Sequence, residues 1–436
     1  FWAALDEADA RDEQHDFHFA SVDQSRYTVM FFTDLHLTNS SEKRDLDHYR
    51  SIALASISDE AAQASARGPV YSLNLGDLSH DLYWYQYDFD VSSAKRFLEQ
   101  NGFPTLLYSI PGNHDNDGAT PAGAGVDRRA EHLYRRTFGP TYYAMNIGDV
   151  HWIMMDNIIY KNTPGKGKKN VGVVGARDYD KGFTPEQLAW LRRDLATVDA
   201  SKTVCLCTHC PVFFDRDRRT LLTDRSQVDS LDALFSRFER VHIFSGHAHR
   251  TLYTQDADYP RFDQYVLPAT SGDRWVANND FQALCPDGSD AGFVVASVDG
   301  GKLRCDYRTH LYDRKVLRAY DMNAVGEYYR NDSLVRVQRR LYPDRADYGR
   351  EEYANCVYVN YWGYLPGHRV ELFEEGRSLE VVQVEDEDPL YNISHYLPEL
   401  ARKPVFKKGD ARVVSHHMFA ARARTATAPV EIRITD

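Results

Sequence analysis

The sequence lacks several things, and each absence narrows what the chain can be. No apolar run approaches the roughly 18–20 residues needed to span a bilayer. No Lys/Arg-dense stripe is present apart from "KGKKN" at 166–170, and the net charge is -12. A non-specific nucleic-acid binder must neutralise many phosphates, so nucleic acid is not an expected partner. A small anionic substrate stays open, because local charge at a metal centre overrules the global sign. Cysteine is scarce, with Cys 6 in 436 residues. "CLCTHC" (Cys205, Cys207, Cys210) has no second pair at zinc-finger spacing, and Cys205 and Cys207 alternate as in a buried strand. Core thiols are therefore expected there. Spacing does not reveal any pairing among Cys285, Cys305 and Cys356. Internal repeats and low-complexity tracts are absent. No signal peptide is visible, but the chain opens "FWAALDEAD" rather than on Met, so a processed or truncated start is expected and the missing segment says little.

What is present suits a folded protein with a sizeable core. Hydrophobic residues make up 43% and aromatics 13%, enough to bury a sizeable core. The length suits a large catalytic core with one appended domain. "RYTVMFF" (26–32), "VYSLNL" (70–75) and "TLLYSI" (105–110) read as buried strands, with helical segments at 46–66 and 91–100 between them. Apolar strands alternating with helices predict a mostly parallel sheet covered on both faces. "YYAMNIGDVHWIMMD" (142–156) and "AGFVVASVDGGKLRCDY" (291–307) carry hairpin signals. Thr184, Pro185 and Gln187 form a helix start with a capping box. "TVCLCT" and "VHIFSG" are two further strands, and 163–172 reads as a mobile surface loop. After residue 312 the pattern changes to short β-like runs such as "CVYVNYWGY" and "HRVELFEEG", with no long amphipathic helix among them. That tail reads as a β-sandwich-like domain. Its aromatic run at 358–364 suits a core strand better than a binding face.

The chemistry sits where the strands stop. The first ends in "TDLHL" (Asp34, His36), the second in "LGDLSHD" (Asp77), and the third in "PGNHDND" (Asn113, His114). Later strands end in "THCPV" (His209) and "SGHAHR" (His247, His249). Ligands bind open α/β sheets outside the carboxyl ends of the strands. Imidazole, carboxylate and amide donors together suit borderline divalent metals. With His114 set aside, the set is too large for one tetrahedral ion and suits two ions sharing a carboxylate. Any one of these short motifs means little; their order, each at the end of an apolar run, is what is informative.

That order, D-x-H, G-D, G-N-H-D, a lone H, then G-H-x-H, resembles the calcineurin-like metallophosphoesterase superfamily. The resemblance covers residues 27–311 and implies a four-layer α/β/β/α sandwich. It implies one ion on Asp34, His36 and His249, a second on Asn113, His209 and His247, and Asp77 as the bridge. The ions would be two divalent metals drawn from Mn, Fe, Zn or Ni. His114 would be a general acid or oxyanion stabiliser, oriented by Asp115. The substrate would be a small phosphomonoester or phosphodiester, attacked in line by a metal-activated water. "FGPTYYAMNIGDVHWIMMDN", "ATSGDRW", "PDGSDAGF" and the tail resemble bacterial members with a dedicated C-terminal β domain, here 312–436. In that subgroup residues 1–26 would be a leader, the trace of a missing N-terminal domain, and the protein would be periplasmic or extracellular. His80 stands where purple acid phosphatases place Tyr, so no tyrosinate–iron charge transfer is expected. His80, Arg250, Arg274 and Trp275 are candidate substrate residues, with Tyr83, Trp84 and Tyr85 as further pocket candidates. The alternative function is a non-catalytic binding protein for glycan, lipid or protein on the same fold. Such proteins normally lose ligands, and none is missing here.

Overall fold

A computed structural model describes residues 23–40, 44–165, 170–213, 225–275, 283–310, 315–402 and 413–435. Most of the expected leader, and residues 166–169 of the expected surface loop, lie outside that set. In chain order the first region carries β1 (Arg26–Phe32), β2 (Val70–Asn74), β3 (Leu107–Ser109), β4 (Tyr143–Ile147), β5 (Val150–Met154), β6 (Ile158–Tyr160), β7 (Tyr179–Lys181), β8 (Thr203–Cys207), β9 (Val241–Ser245), β10 (Leu252–Thr254), β11 (Phe262–Val266), β12 (Gly292–Asp299) and β13 (Lys302–Thr309). They form two main sheets, ordered β13-β12-β1-β2-β3 and β10-β11-β9-β8-β5-β4. β1, β2 and β3 run parallel, as do β5, β8, β9 and β11. Antiparallel strands close one flank of the first sheet (β12, β13) and both flanks of the second (β10, β4).

Side-chain alternation explains the layering. Tyr27, Val29 and Phe31 point from β1 into the space between the sheets, where they meet Trp152, Met154, Cys205, Cys207 and Phe244. Phe31 stacks on Phe244 with centroids 4.5 Å apart. Met30 and Phe32 point the other way, onto Ile57, Val91, Ala94 and Phe97 of the covering helices. On the second sheet Ile153, Val204, Leu206 and Ile243 pack outward on Trp190, Leu191, Val228 and Leu231. The result is helix, sheet, sheet, helix. This is the four-layer α/β/β/α sandwich that the family resemblance implies; the strands divide between two sheets, each covered by helices on one face and by the other sheet on its second. Continuous apolar runs look the same under either cover.

Local signals fall where the sequence placed them. Thr184 caps the helix Pro185–Thr197, and Gln187 completes the box. Gly300 and Gly301 both take positive φ, 52° and 81°, as the two-residue turn between β12 and β13 requires. All six cysteines are free thiols, and Cys205 and Cys207 are buried core residues.

The second region carries β14 (Leu317–Asp321), β15 (Cys356–Tyr361), β16 (Arg369–Glu374), β17 (Arg377–Ser378), β18 (Val381–Asp386), β19 (Ser415–Arg422) and β20 (Val430–Thr435). Sheets β14-β15-β19-β18 and β17-β16-β20 face each other across Val359, Phe419, Leu372, Ile432 and Ile434. The strands are antiparallel, as a β-sandwich-like tail requires. Two short helices, Met322–Asn331 and Ser333–Leu341, were absent from the sequence reading; Asp321 and Asp332 cap them. They cover the outer face of the first of these sheets, packing on Tyr358, Met418 and Ala420. β15 is a central strand, so the aromatic run is largely core: Tyr358, Tyr361 and Trp362 are buried. Among the described residues, no helix is long and apolar enough to cross a membrane.

Candidate metal centre

The carboxyl ends of β1, β2, β3, β8 and β9 deliver the candidate ligands to one place. Backbone geometry there is unusual. Asp34, His36, Asp77, His247 and His249 all have positive φ, between 48° and 65°. Non-glycine residues rarely adopt this region, and where they cluster the surrounding structure must enforce it. The glycines beside them are there for space. A Cβ on Gly76 would lie 2.6 Å from Gly112 N and 2.7 Å from His209 Nδ1, and one on Gly112 would overlap Asp77 Oδ1.

The side chains fall into two groups. In one, His249 Nε2 lies 3.2 Å from Asp34 Oδ1 and 2.9 Å from His36 Nε2. In the other, His209 Nε2 lies 3.1 Å from Asn113 Oδ1 and 3.2 Å from His247 Nδ1. Asp77 Oδ2 faces both, 3.7 Å from His36 Nε2 and 3.4 Å from His209 Nε2. The residues expected to hold one ion and those expected to hold the other thus form separate groups, with Asp77 between them.

Outer contacts aim the ligand atoms. His209 Nδ1 donates to Leu75 O at 2.7 Å, and His249 Nδ1 donates to Gly272 O at 2.9 Å. A carbonyl only accepts, so in the neutral rings each Nε2 carries the lone pair. Asp34 Oδ2 accepts from Thr33 Oγ1 (2.7 Å) and His247 N (2.8 Å), while Asp34 Oδ1 is buried with no hydrogen-bond partner. Asp77 Oδ1 accepts from His114 N at 2.7 Å, which leaves Oδ2 for the shared position.

The arrangement calls for positive charge. With the His209 ring neutral, lone pairs of His209 Nε2, Asn113 Oδ1 and Asp77 Oδ2 converge, and such convergence in a buried site calls for a proton or a cation. Burial alone would raise the carboxyls of Asp34 and Asp77; the facing imidazoles more than offset it and hold both well below the usual carboxylate range. Burial alone would lower His209, but Asp77 and Asp34 draw a proton onto it and raise its pKa to about 9. Burial takes His36 down to about 3, despite Asp34 and Asp77. Divalent cations supply that charge to both groups at once, so the donor set fits two ions.

Beside the ligands stands His114. Its Nδ1 lies 2.8 Å from Asp81 Oδ1, and Arg177 places Nε and an Nη on the same carboxylate. Arg177 Nη2 also lies 3.0 Å from Nδ1; with the ring's proton on Nδ1 and hydrogen-bonded to the carboxylate, Nε2 is the nitrogen left for a substrate. This corrects the expected role of Asp115. Asp115 turns back into its own turn, taking Gly112 N (3.0 Å), Leu78 N (3.2 Å) and Ser79 N (3.0 Å), and so clamps the Asp77 loop to the Asn113 loop. Burial and the nearby Asp77 raise its pKa to about 7.

Among the candidate substrate residues, His80 reaches the site; its ring centroid is 3.9 Å from that of His114. Trp275 does not face a substrate. It is 1% exposed, packs in the core near Tyr49, and donates from Nε1 to Leu35 O at 2.6 Å, between the two ligands of the first strand end. Arg274 is exposed, 3.9 Å from Asp273 Oδ1, and Arg250 is half-buried just beyond His249. Trp84 is buried and bonded to Ser79 Oγ, Tyr85 is exposed and bonded to Asp117, and the ring of Tyr83 sits 5.0 Å from that of His80. The sequence reading missed Asp81 and Arg177. Asp81 lay inside the quoted "LGDLSHD"; no local signal marked Arg177.

Comparison with known families agrees with this geometry. Residues 27–251 match the calcineurin-like phosphoesterases, and residues 264–436 match the C terminal of calcineurin-like phosphoesterase. The chain belongs to the calcineurin-like phosphoesterase family. Among solved structures it is similar to a dimetal phosphatase from Danio rerio (14% identity, covering 65% of this chain and 96% of that one, TM-score 0.42). It is also similar to purple acid phosphatase PPD1 from yellow lupin, Lupinus luteus (15% identity, 66% and 52% covered, TM-score 0.42), and so spans about half of that protein's length. A third similar structure is GAP50, the anchor in the inner membrane complex of Plasmodium (11% identity, 67% and 86% covered, TM-score 0.38). Comparison with curated proteins finds no match.

Proposed function

We propose that this protein is a dinuclear-metal phosphoesterase that hydrolyses a small phosphomonoester or phosphodiester. The observation that carries the proposal is Asp77 Oδ2, which faces ligand nitrogens of both groups, His36 and His209. Asp34, His36 and His249 would hold one ion, Asn113, His209 and His247 the other, and Asp77 would be shared. Two divalent ions bound there supply Lewis-acid polarisation of the phosphoryl group and ready ionisation of a water near neutral pH.

The rest is the protein's own work. His114, as the imidazolium, gives its Nε2 proton to the departing oxygen as the phosphorus–oxygen bond breaks, and is left as the neutral ring with its proton on Nδ1. Asp81 keeps the ring in the Nδ1–H tautomer, and Arg177 fixes Asp81 with a two-pronged contact whose geometry Lys could not reproduce. Asp115 ties the loops of Asp77 and Asn113 together.

The test is hydrolysis of p-nitrophenyl phosphate beside bis-p-nitrophenyl phosphate. Protein stripped of metal would be refilled with Mn, Fe, Zn or Ni in turn. Turnover that appears only with metal supports the proposal, and the ratio of the two rates separates monoesterase from diesterase. Two bound ions with no turnover on either ester would overturn it.

A further inference from the structure

The segment that carries His249 is held at both ends by residues that the C-terminal region braces in turn. At one end, His249 Nδ1 donates to Gly272 O. Gly272 has φ 61° and sits against Leu284, and the next residue, Asp273, donates its N–H to Leu284 O at 2.7 Å. Asp273 is then anchored from outside its own region: Tyr391 donates its hydroxyl to Asp273 Oδ2 at 2.7 Å. Tyr391 is itself fixed by stacking on His395, with centroids 4.9 Å apart and planes at 11°.

At the other end, Thr251 N donates to Asp287 Oδ2 at 2.8 Å. The same oxygen lies 3.1 Å from His417 Nε2 on β19. His417 Nδ1 meets Asn360 Oδ1 at 2.6 Å, and Asn360 Nδ2 returns to Asp287 O at 2.9 Å. Arg318 adds a hydrogen bond to Gly288 O at 2.8 Å and an ion pair to Asp290. Asp287, Asn360 and His417 are all buried. An apolar interface would tolerate sliding; a buried polar network admits one register, because any slip leaves donors and acceptors unpaired.

We infer that the C-terminal region is part of the scaffold of the metal centre, and that Tyr391 and His417 are positioning residues for His249. Tyr391 fixes the carbonyl that sets the tautomer and tilt of the ring. His417, through Asp287, fixes the backbone that leads away from it. Outer partners of metal-binding histidines typically change affinity by roughly 10–100-fold when lost, and these lie one contact further out. The inference rests on the dinuclear reading given above.

The test uses the full chain. Wild type, Tyr391→Phe and His417→Gln would be equilibrated with Mn²⁺ at graded free concentrations, and metal per chain measured by elemental analysis. Tyr361→Phe is the matched control, since it removes the hydroxyl of a buried tyrosine that meets His368 within the C-terminal region. Circular dichroism would follow the fold. Wild type and the control should bind two ions. Tyr391→Phe and His417→Gln should weaken one ion by about tenfold, the low end of that range, and spare the other. Two ions bound as in wild type by both variants would overturn the inference. So would equal weakening of both ions, or the same loss in the control, since either describes general loosening. Wild type that binds no ion would overturn the phosphoesterase reading itself, a result distinct from these.

Discussion

Asp81 Oδ1 stands 2.8 Å from His114 Nδ1, with Arg177 bound to both oxygens of the same carboxylate and its Nη2 3.0 Å from that nitrogen. The pair is a directional device: the carboxylate fixes which nitrogen carries the ring's inner proton, and so which one meets the substrate. His114→Ala should leave metal content intact and cut turnover by roughly 10²–10⁴. Asp81→Asn should keep both ions and still lose about 10²-fold in kcat, because an amide can present its N–H to Nδ1 and favour the wrong tautomer. Metal analysis beside steady-state kinetics checks both; full activity in either variant would remove His114 from the mechanism.

Asp77 lies between the two ligand groups, so its loss should be felt by both. Asp77→Asn keeps the size and removes the charge. We expect occupancy of both ions to fall together, unlike the selective loss expected for Tyr391→Phe. Retention of two tightly bound ions would contradict the bridge.

Removing metal should soften the protein. Ions that bind only the folded chain add about 2.7 kcal/mol per site at a free concentration of 100 Kd. Chelation should therefore lower the melting temperature, and each effective metal should restore it. A melting curve that ignores chelator would mean that the acceptors converging on His209 Nε2 are content with a proton.

A second titrating cluster lies away from the ligands. Burial and mutual repulsion raise Glu131 to about 7 and push Asp156 well above the usual carboxylate range; burial raises Asp127 to about 6. Their folded pKa values exceed the unfolded ones, so the folded state holds more protons between about pH 4 and pH 7. Stability from this cluster is complete below that window and is lost as pH rises through it. Glu131→Gln should flatten the slope. Urea unfolding of wild type and variant at pH 5 and pH 8, in the same metal state, reads the difference; parallel curves would refute it.

The site was legible in the sequence to the extent that strand ends are. Asp34, His36, Asp77, Asn113, His209, His247 and His249 each follow an apolar run, so local pattern placed them and family order grouped them. What could not be read was whatever depends on direction. The family resemblance pairs Asp115 with His114, yet the turn closed by Asp115 N and Gly112 O sends the two side chains apart. Arg177 meets Asp81 across 96 residues, from a segment with no periodicity. Trp275 looked like a pocket wall, and only its burial shows that it braces Leu35. The division of strands between two sheets was likewise invisible, since a strand buried by a sheet and one buried by helices have the same composition.

The wide spacing of the ligands has a kinetic consequence. His36 and His249 meet across 213 residues, and β1 pairs with β12 near the end of the catalytic region. Chains dominated by such distant contacts fold slowly, because loop closure is completed late. No fragment holding a few of these motifs owns a complete ion site. Metal uptake during refolding should thus trail the appearance of secondary structure, and the coordinated ion becomes a clock for the last step of assembly.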